Sequence, residues 1–219
     1  MASTQSVIIR PYEARDRQAI RHICCETADA GKPMESFFRD RDLVADLVTR
    51  YYTDFDSGST WVAQPESEVV GYLTGCLNTR RQLRVTGWRI VPRALMAAIG
   101  RGILAQRETW RMLGAMLKTL KRGGPRKPVP LDRFPAHVHI NLLPAARGHH
   151  AGRQLMEKFF AQAKQASAPG IHASVRADNE SGCGFFQRMG FVELIRSPMI
   201  LPVGDTEIET ATIVYGKEL

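Results

Sequence analysis

The 219-residue sequence predicts an α/β fold, a mixed and mostly antiparallel central sheet flanked by helices, with a basic helical insertion within it. Three observations carry that expectation. Two β-rich runs, 59–66 and 68–78, are separated by a short polar turn and form a hairpin. After residue 135 strands and helices alternate, the order that lays helices on a sheet. Between these parts, residues 79–133 hold 14 Lys or Arg against two acids, with apolar residues at helical spacing.

The elements follow in order. SVIIRPY (6–12) reads as a first strand ended by Pro11, and 13–28 as a helix with Ala19, Ile20, Ile23, Cys24 and Thr27 on one face. A second helix spans Asp40 to Tyr52, where Leu43, Val44, Leu47, Val48 and Tyr51 repeat. The hairpin comes next, then the insertion, whose 80–127 core reads as two helices. Pro92 suits a first helical turn, Trp110, Leu113, Leu117 and Leu120 recur at helical spacing, and Gly123-Gly124-Pro125 breaks the pattern. AHVHINLLP (136–144) is a strand, and Ala151 to Ala166 a helix with Leu155, Met156, Phe159, Phe160 and Ala163 in one stripe. Strand 170–177, helix 181–189 and strands 191–197 and 210–219 complete the chain.

Composition narrows the function classes. Hydrophobic residues make up 44% of the chain, enough for a packed core, while no run of about 18 apolar residues exists to span a membrane. The N-terminus lacks a hydrophobic signal core, so a cytoplasmic location is expected. Cys24, Cys25, Cys76 and Cys183 show neither zinc-site nor disulfide spacing and read as reduced thiols, and no metal site is expected. The net charge of +8 is confined to the insertion, which carries +12 and leaves −4 for everything else.

LLPAARGHHAGRQLM (142–156) joins a strand to a helix through a turn. Free amides at a helix N-terminus, small residues at Gly148 and Gly152, and the cation Arg147 suit a bound pyrophosphate. About thirty residues later comes VRADNESGCGFFQRMGF (175–191). Together these stretches resemble the GCN5-related N-acetyltransferase (GNAT) family. Arg147, Gly148, His149, His150, Ala151 and Gly152 occupy its six signature positions, with Asn179 and Gly190-Phe191 where its later elements fall. The order of elements over 1–219 is that family's, implying one acyl-CoA N-acyltransferase domain with 79–133 inserted. More narrowly, 61–81 and 135–144 look like the acetyltransferase-like domain of bacterial O-GlcNAcase-type proteins.

The resemblance implies an N-acetyltransferase that moves the acetyl group of acetyl-CoA to a primary amine of a small molecule or protein. The sheet would splay beside 136–144, and an amide of Leu142 or Leu143 would polarise the thioester carbonyl. Two residues depart from the pattern. His150 stands at the first signature glycine; either it is a solvated turn residue, or its imidazole contacts a phosphate and affinity falls as pH rises through about 6.5. Phe186 stands where many relatives have a proton-donating tyrosine, which motivates the alternative of a catalytically weak or inactive GNAT-fold module binding CoA or an anionic partner. Strand alternation puts His137, His139 and Asn141 on one face, so His139 or His137 is the candidate base if that face lines the cleft, and a satisfied core histidine if it does not. Glu26, Tyr51 and Tyr52 are candidate substrate contacts. Three readings of 80–127 stay open: a cap over the acceptor cleft, a contact with an anionic membrane surface, or a contact with nucleic acid.

Overall fold

A computed structural model of the protein describes residues 7–34, 38–65, 68–124, 128–146 and 150–219. One seven-stranded sheet forms its centre, in the order β1-β2-β3-β4-β5-β7-β6. The strands are β1 Ile8–Pro11, β2 Thr60–Gln64, β3 Gly71–Cys76, β4 Ala136–Leu142, β5 Gly170–Arg176, β6 Val192–Val203 and β7 Thr206–Glu218. Every neighbouring pair is antiparallel except β4 and β5, which run parallel. The expected fold class is therefore observed.

Alternation along the strands decides which helix covers which face. Ala63, Leu73, Ala136 and Val138 point to one face, under helix α6 (Ala151–Gln165), whose Leu155, Met156 and Phe159 are fully buried there. Val62 and Tyr72 point to the other, under Ile20, Ile23 and Cys24 of helix α1 (Arg17–Thr27). Helix α7 (Glu180–Arg188) packs against the first face through Phe186.

Helix α2 (Arg41–Arg50) begins at Asp40, whose carboxylate accepts the Leu43 amide at 2.7 Å. Its buried residues are Ala45 and Thr49, whereas Leu47 and Val48 are exposed, contrary to the inward stripe expected from their spacing. The rotation follows from charge, because Asp42 and Asp46 both pair with Arg21 of α1. A π-helical turn, Tyr51–Phe55, follows and drives both tyrosines into the interior.

Among the described residues the insertion forms three α-helices rather than two, α3 Thr79–Val85, α4 Val91–Gly100 and α5 Arg107–Lys121, with a π-helical turn at Thr86–Ile90. Pro92 sits in the first turn of α4 as expected. Arg101 after α4 pairs with Asp40 at 3.1 Å, while Arg111, Lys118 and Arg122 pair with Asp205, Glu207 and Glu209 of the β6–β7 hairpin. That hairpin is longer than the two expected strands, continuous from Val192 to Glu218 apart from its tip. Pro198 and Pro202 interrupt the sequence pattern, but β6 is an edge strand, where a missing amide is tolerated.

Candidate active site

Strands β4 and β5 pair only at Ala136 with Ile171 and His137 with His172. Beyond them the sheet opens into a cleft of about 1050 Å³, lined by β4, β5, the start of α6 and α7. On β4 the ladder to β3 fixes which groups face this opening. Leu143 donates its amide to the Val70 carbonyl at 2.9 Å, and the residues opposite each other from there back alternate in bonding. The amides of Leu142 and Ile140 therefore turn away from β3, toward the splayed β5. Of the two candidate donors, Leu142 lines the cleft and Leu143 is committed to the sheet.

The turn before α6 lies partly outside the described residues, which include neither Arg147, Gly148 nor His149. His150, at its end, has φ 57° and ψ 8°, the left-handed conformation that the signature glycine would adopt freely. The histidine is exposed, makes no side-chain cap and gives its carbonyl to Gln154. Ala151 and Gly152 are buried in the first turn of α6. A Cβ on Gly152 would lie 3.2 Å from Phe185 and 3.3 Å from Leu142, so its small size lets α6, α7 and β4 converge. Ala30 lines the cleft on the α1 side and is also left-handed, at φ 50°. Strained backbone thus flanks the opening, as it does at many functional sites.

Asn179 caps α7, its side-chain oxygen accepting the Gly182 amide at 2.9 Å and leaving its NH₂ for another partner. Phe186 lines the cleft as part of an aromatic cluster with Phe185, Phe191 and Tyr215. It has no proton to give. Arg153, Arg188 and Lys217 also line the cleft, cations that sequence reasoning missed because none belongs to the signature. Lys217 comes from the last strand and lies 5.7 Å over the Phe160 ring, a contact that no local pattern encodes.

The histidine face of β4 splits in two. His137 is buried, with Tyr52 Oη 2.6 Å from Nε2 and Thr79 Oγ1 2.7 Å from Nδ1. Because the Thr79 hydroxyl gives its proton to the Pro135 carbonyl at 2.7 Å, it accepts from Nδ1, and Nε2 accepts from Tyr52. Both ring nitrogens are thus used, burial holds the pKa well below the usual value, and His137 is a satisfied core histidine rather than a base. His139 does line the cleft, only partly buried, yet desolvation and then the neighbouring His172 lower its pKa to about 4. It is neutral at pH 7 and a weak proton acceptor.

The three candidate substrate contacts are engaged elsewhere. Glu26 is paired with Arg41 at 2.5 Å, Tyr51 donates to Asp56 at 2.9 Å, and Tyr52 is held by His137. None lines the described cleft, whose α1 and α2 side is formed instead by Cys24, Thr27, Ala28 and Val48. Burial raises the Cys24 thiol to about 11, so it is not a nucleophile at neutral pH. Among the described residues, no group of three or more His, Cys, Asp or Glu is disposed to hold a metal ion.

Comparison with known proteins fits this geometry. Residues 127–191, which contain β4, α6, β5 and α7, match the model of the Acetyltransferase (GNAT) family. The crystal structure of SsHAT is similar at a TM-score of 0.71 and 24% identity, covering 97% of this chain and 98% of that one. The fold is that of the GNAT acetyltransferases. A GCN5-related N-acetyltransferase from Kribbella flavida aligns at 17% identity and a TM-score of 0.59, over 99% of this chain and 100% of its own. A Salmonella typhimurium protein solved with its cofactor acetyl-CoA aligns at 13% and 0.56, over 98% and 94%. Of the six positions that resemble the GNAT signature, Arg147, Gly148 and His149 lie outside the described residues and the left-handed His150 is the fourth.

Proposed function

We propose that the protein is a cytoplasmic N-acetyltransferase that moves an acetyl group from acetyl-CoA to a primary amine of a small molecule or protein, and that its nearest subgroup is the acetyltransferase-like domain of O-GlcNAcase-type proteins. The observation that carries the reading is the parting of β4 and β5, which turns the Leu142 amide toward an open cleft beside the N-terminus of a four-turn helix. The cleft fits acyl-CoA by size, by its amide donors and by its cations. When bound, acetyl-CoA supplies an activated acyl group.

The chain's own residues divide the remaining work. The α6 N-terminus, His150, Arg153, Arg188 and Lys217 offer amides and cations to phosphates. Asn179 offers its NH₂ to an extended chain along β4. Leu142 offers a backbone donor where negative charge develops on a carbonyl oxygen. The neutral Cys24 thiol favours direct attack of the amine over a cysteine-bound intermediate. The test is release of free CoA thiol from acetyl-CoA across a panel of amines, alongside calorimetry.

A second reading, a GNAT-fold module that binds acyl-CoA with little turnover, has its own support. Phe186 carries no proton, and the single histidine among the described cleft residues that comes from β4 is depressed to about 4. Tight acetyl-CoA binding with no thiol release on any amine would favour it, and absence of binding would remove both readings.

A further inference from the structure

Helices α4 and α5 are turned the opposite way from ordinary amphipathic helices. They bury small residues, Ala94 and Ala98 on α4 and Thr109 and Ala115 on α5. Their large apolar residues face outward. On α5, Trp110, Leu113, Leu117 and Leu120 recur every three or four residues and all are exposed, and on α4 Leu95 and Ile99 do the same one turn apart. Trp88, in the π turn before α4, is 80% exposed and Trp110 is 64% exposed. So much apolar side chain in water marks an interaction surface.

Charge selects the occupant. Arg84, Arg89, Arg93, Arg107 and Lys121 are exposed and form no ion pair among the described residues, whereas the cations facing the β6–β7 hairpin are paired with its acids. The two acids of the insertion are themselves taken, Glu108 by Arg39 and Asp132 by Arg80. A second copy of this face would bring cation against cation. A nucleic acid would meet the arginines but leave the aliphatic stripes in water. A lipid surface with anionic headgroups meets both, because leucines enter the acyl boundary, tryptophans sit at the headgroup level and arginines meet the phosphates.

We propose that α4 and α5 form a peripheral docking surface for an anionic lipid bilayer. Among the described residues no helix is long and apolar enough to cross one, so the contact lies in the interface plane. The surface is separate from the cleft, and the proposal stands whether or not acetyl transfer occurs.

The test is sedimentation of the full chain with vesicles of phosphatidylcholine alone and of phosphatidylcholine mixed with phosphatidylglycerol. Binding to the mixed vesicles is expected to be at least about tenfold tighter, to weaken with added salt and to shift tryptophan emission to the blue. The double variant Leu113→Glu, Leu117→Glu is expected to lose vesicle binding while keeping its melting temperature, since both side chains already face water. Arg89→Glu with Arg93→Glu is expected to weaken binding about tenfold or more. No binding to anionic vesicles overturns the proposal, as does binding that survives the leucine replacements. A dimer in sedimentation velocity that Leu117→Glu dissolves, or polynucleotide binding tighter than vesicle binding, overturns it in favour of the other partner.

Discussion

Mild acid is expected to destabilise this protein through three histidines. His137, His139 and His172 form a chain of rings under the β4–β5 junction, with centroids 5.7 Å and 5.5 Å apart. Burial is the first cause that lowers all three pKa values, and mutual repulsion adds to it for His137 and His139. In the unfolded chain each titrates near 6.5. Between the folded and unfolded values, the unfolded state holds a proton that the native state does not. Stability is therefore complete above about pH 6.5 and falls as pH drops below it. Each histidine costs about 1.4 kcal/mol per pH unit while it stays neutral in the native state. For His139, with a pKa of about 4, the loss reaches roughly 3 kcal/mol by pH 4. At about pH 5 His139 alone accounts for roughly 2 kcal/mol of the loss, and His137 and His172, both lowered by burial, add to it in the same direction. Urea unfolding followed by circular dichroism at about pH 7.5, 6.5, 6 and 5.5 measures this slope. His139→Asn should lessen the slope, removing roughly 2 kcal/mol of the loss at about pH 5. An unfolding free energy that stays flat between about pH 7 and 5 would refute the reasoning. The paired carboxylates Asp16 and Asp54, whose pKa values are lowered, act in a separate window below about pH 4.

Other substitutions separate site from scaffold. Leu142→Pro removes the amide turned to the cleft without breaking the β3 ladder, and should lower acetyl transfer by about 100-fold at a similar melting temperature; Leu143→Pro, which breaks the bond to Val70, should instead destabilise the fold by about 1 kcal/mol or more. Tyr52→Phe leaves His137 Nε2 without its donor, and is expected to cost about 1–3 kcal/mol in urea unfolding while kcat stays unchanged. Phe186→Tyr should raise kcat, by less than the roughly 100-fold usual for a positioned acid because a thiolate already leaves readily, and stopped thiol-release assays would read it. His150→Gly relieves a left-handed backbone and His150→Val aggravates it, so their melting temperatures should differ in that order by about 1–2 kcal/mol of stability.

Much of the fold was legible because it rests on local patterns. The stripe Leu155, Met156, Phe159 and Ala163 is buried as its spacing demands, and Asn179 caps α7 where the motif led. The left-handed backbone at residue 150 stands where the resembled signature has a glycine, the residue that adopts positive φ freely. Contacts between distant segments were not legible. The β6–β7 hairpin was cut short because Pro198 and Pro202 break a strand pattern, and only its edge position makes them harmless. Lys217 reaches the cleft from the last strand with no motif around it.

Periodicity gives a face but not its surroundings, and the site turns on that difference. His137 and His139 share a side of β4 as alternation requires, yet one is sealed by a tyrosine 85 positions away and the other lines the cleft. What distinguishes them is the π-helical turn at Tyr51–Phe55, which carries the Tyr52 hydroxyl to one ring and not the other. The same limit applies to α5. Its apolar stripe has the spacing of a core-facing helix, but the sign of the face is set by partners: Thr109 and Ala115 are buried, and the Thr119 hydroxyl accepts the Ile200 amide of β6 at 2.8 Å. The leucines are left exposed on the other side, and the surface pairs of Arg111, Lys118 and Arg122, each worth about 0–1 kcal/mol, add to this seating rather than set it. Ala115 and Thr119, more than the surface acids, therefore seat α5, and neither is among the described residues of the acyl cleft.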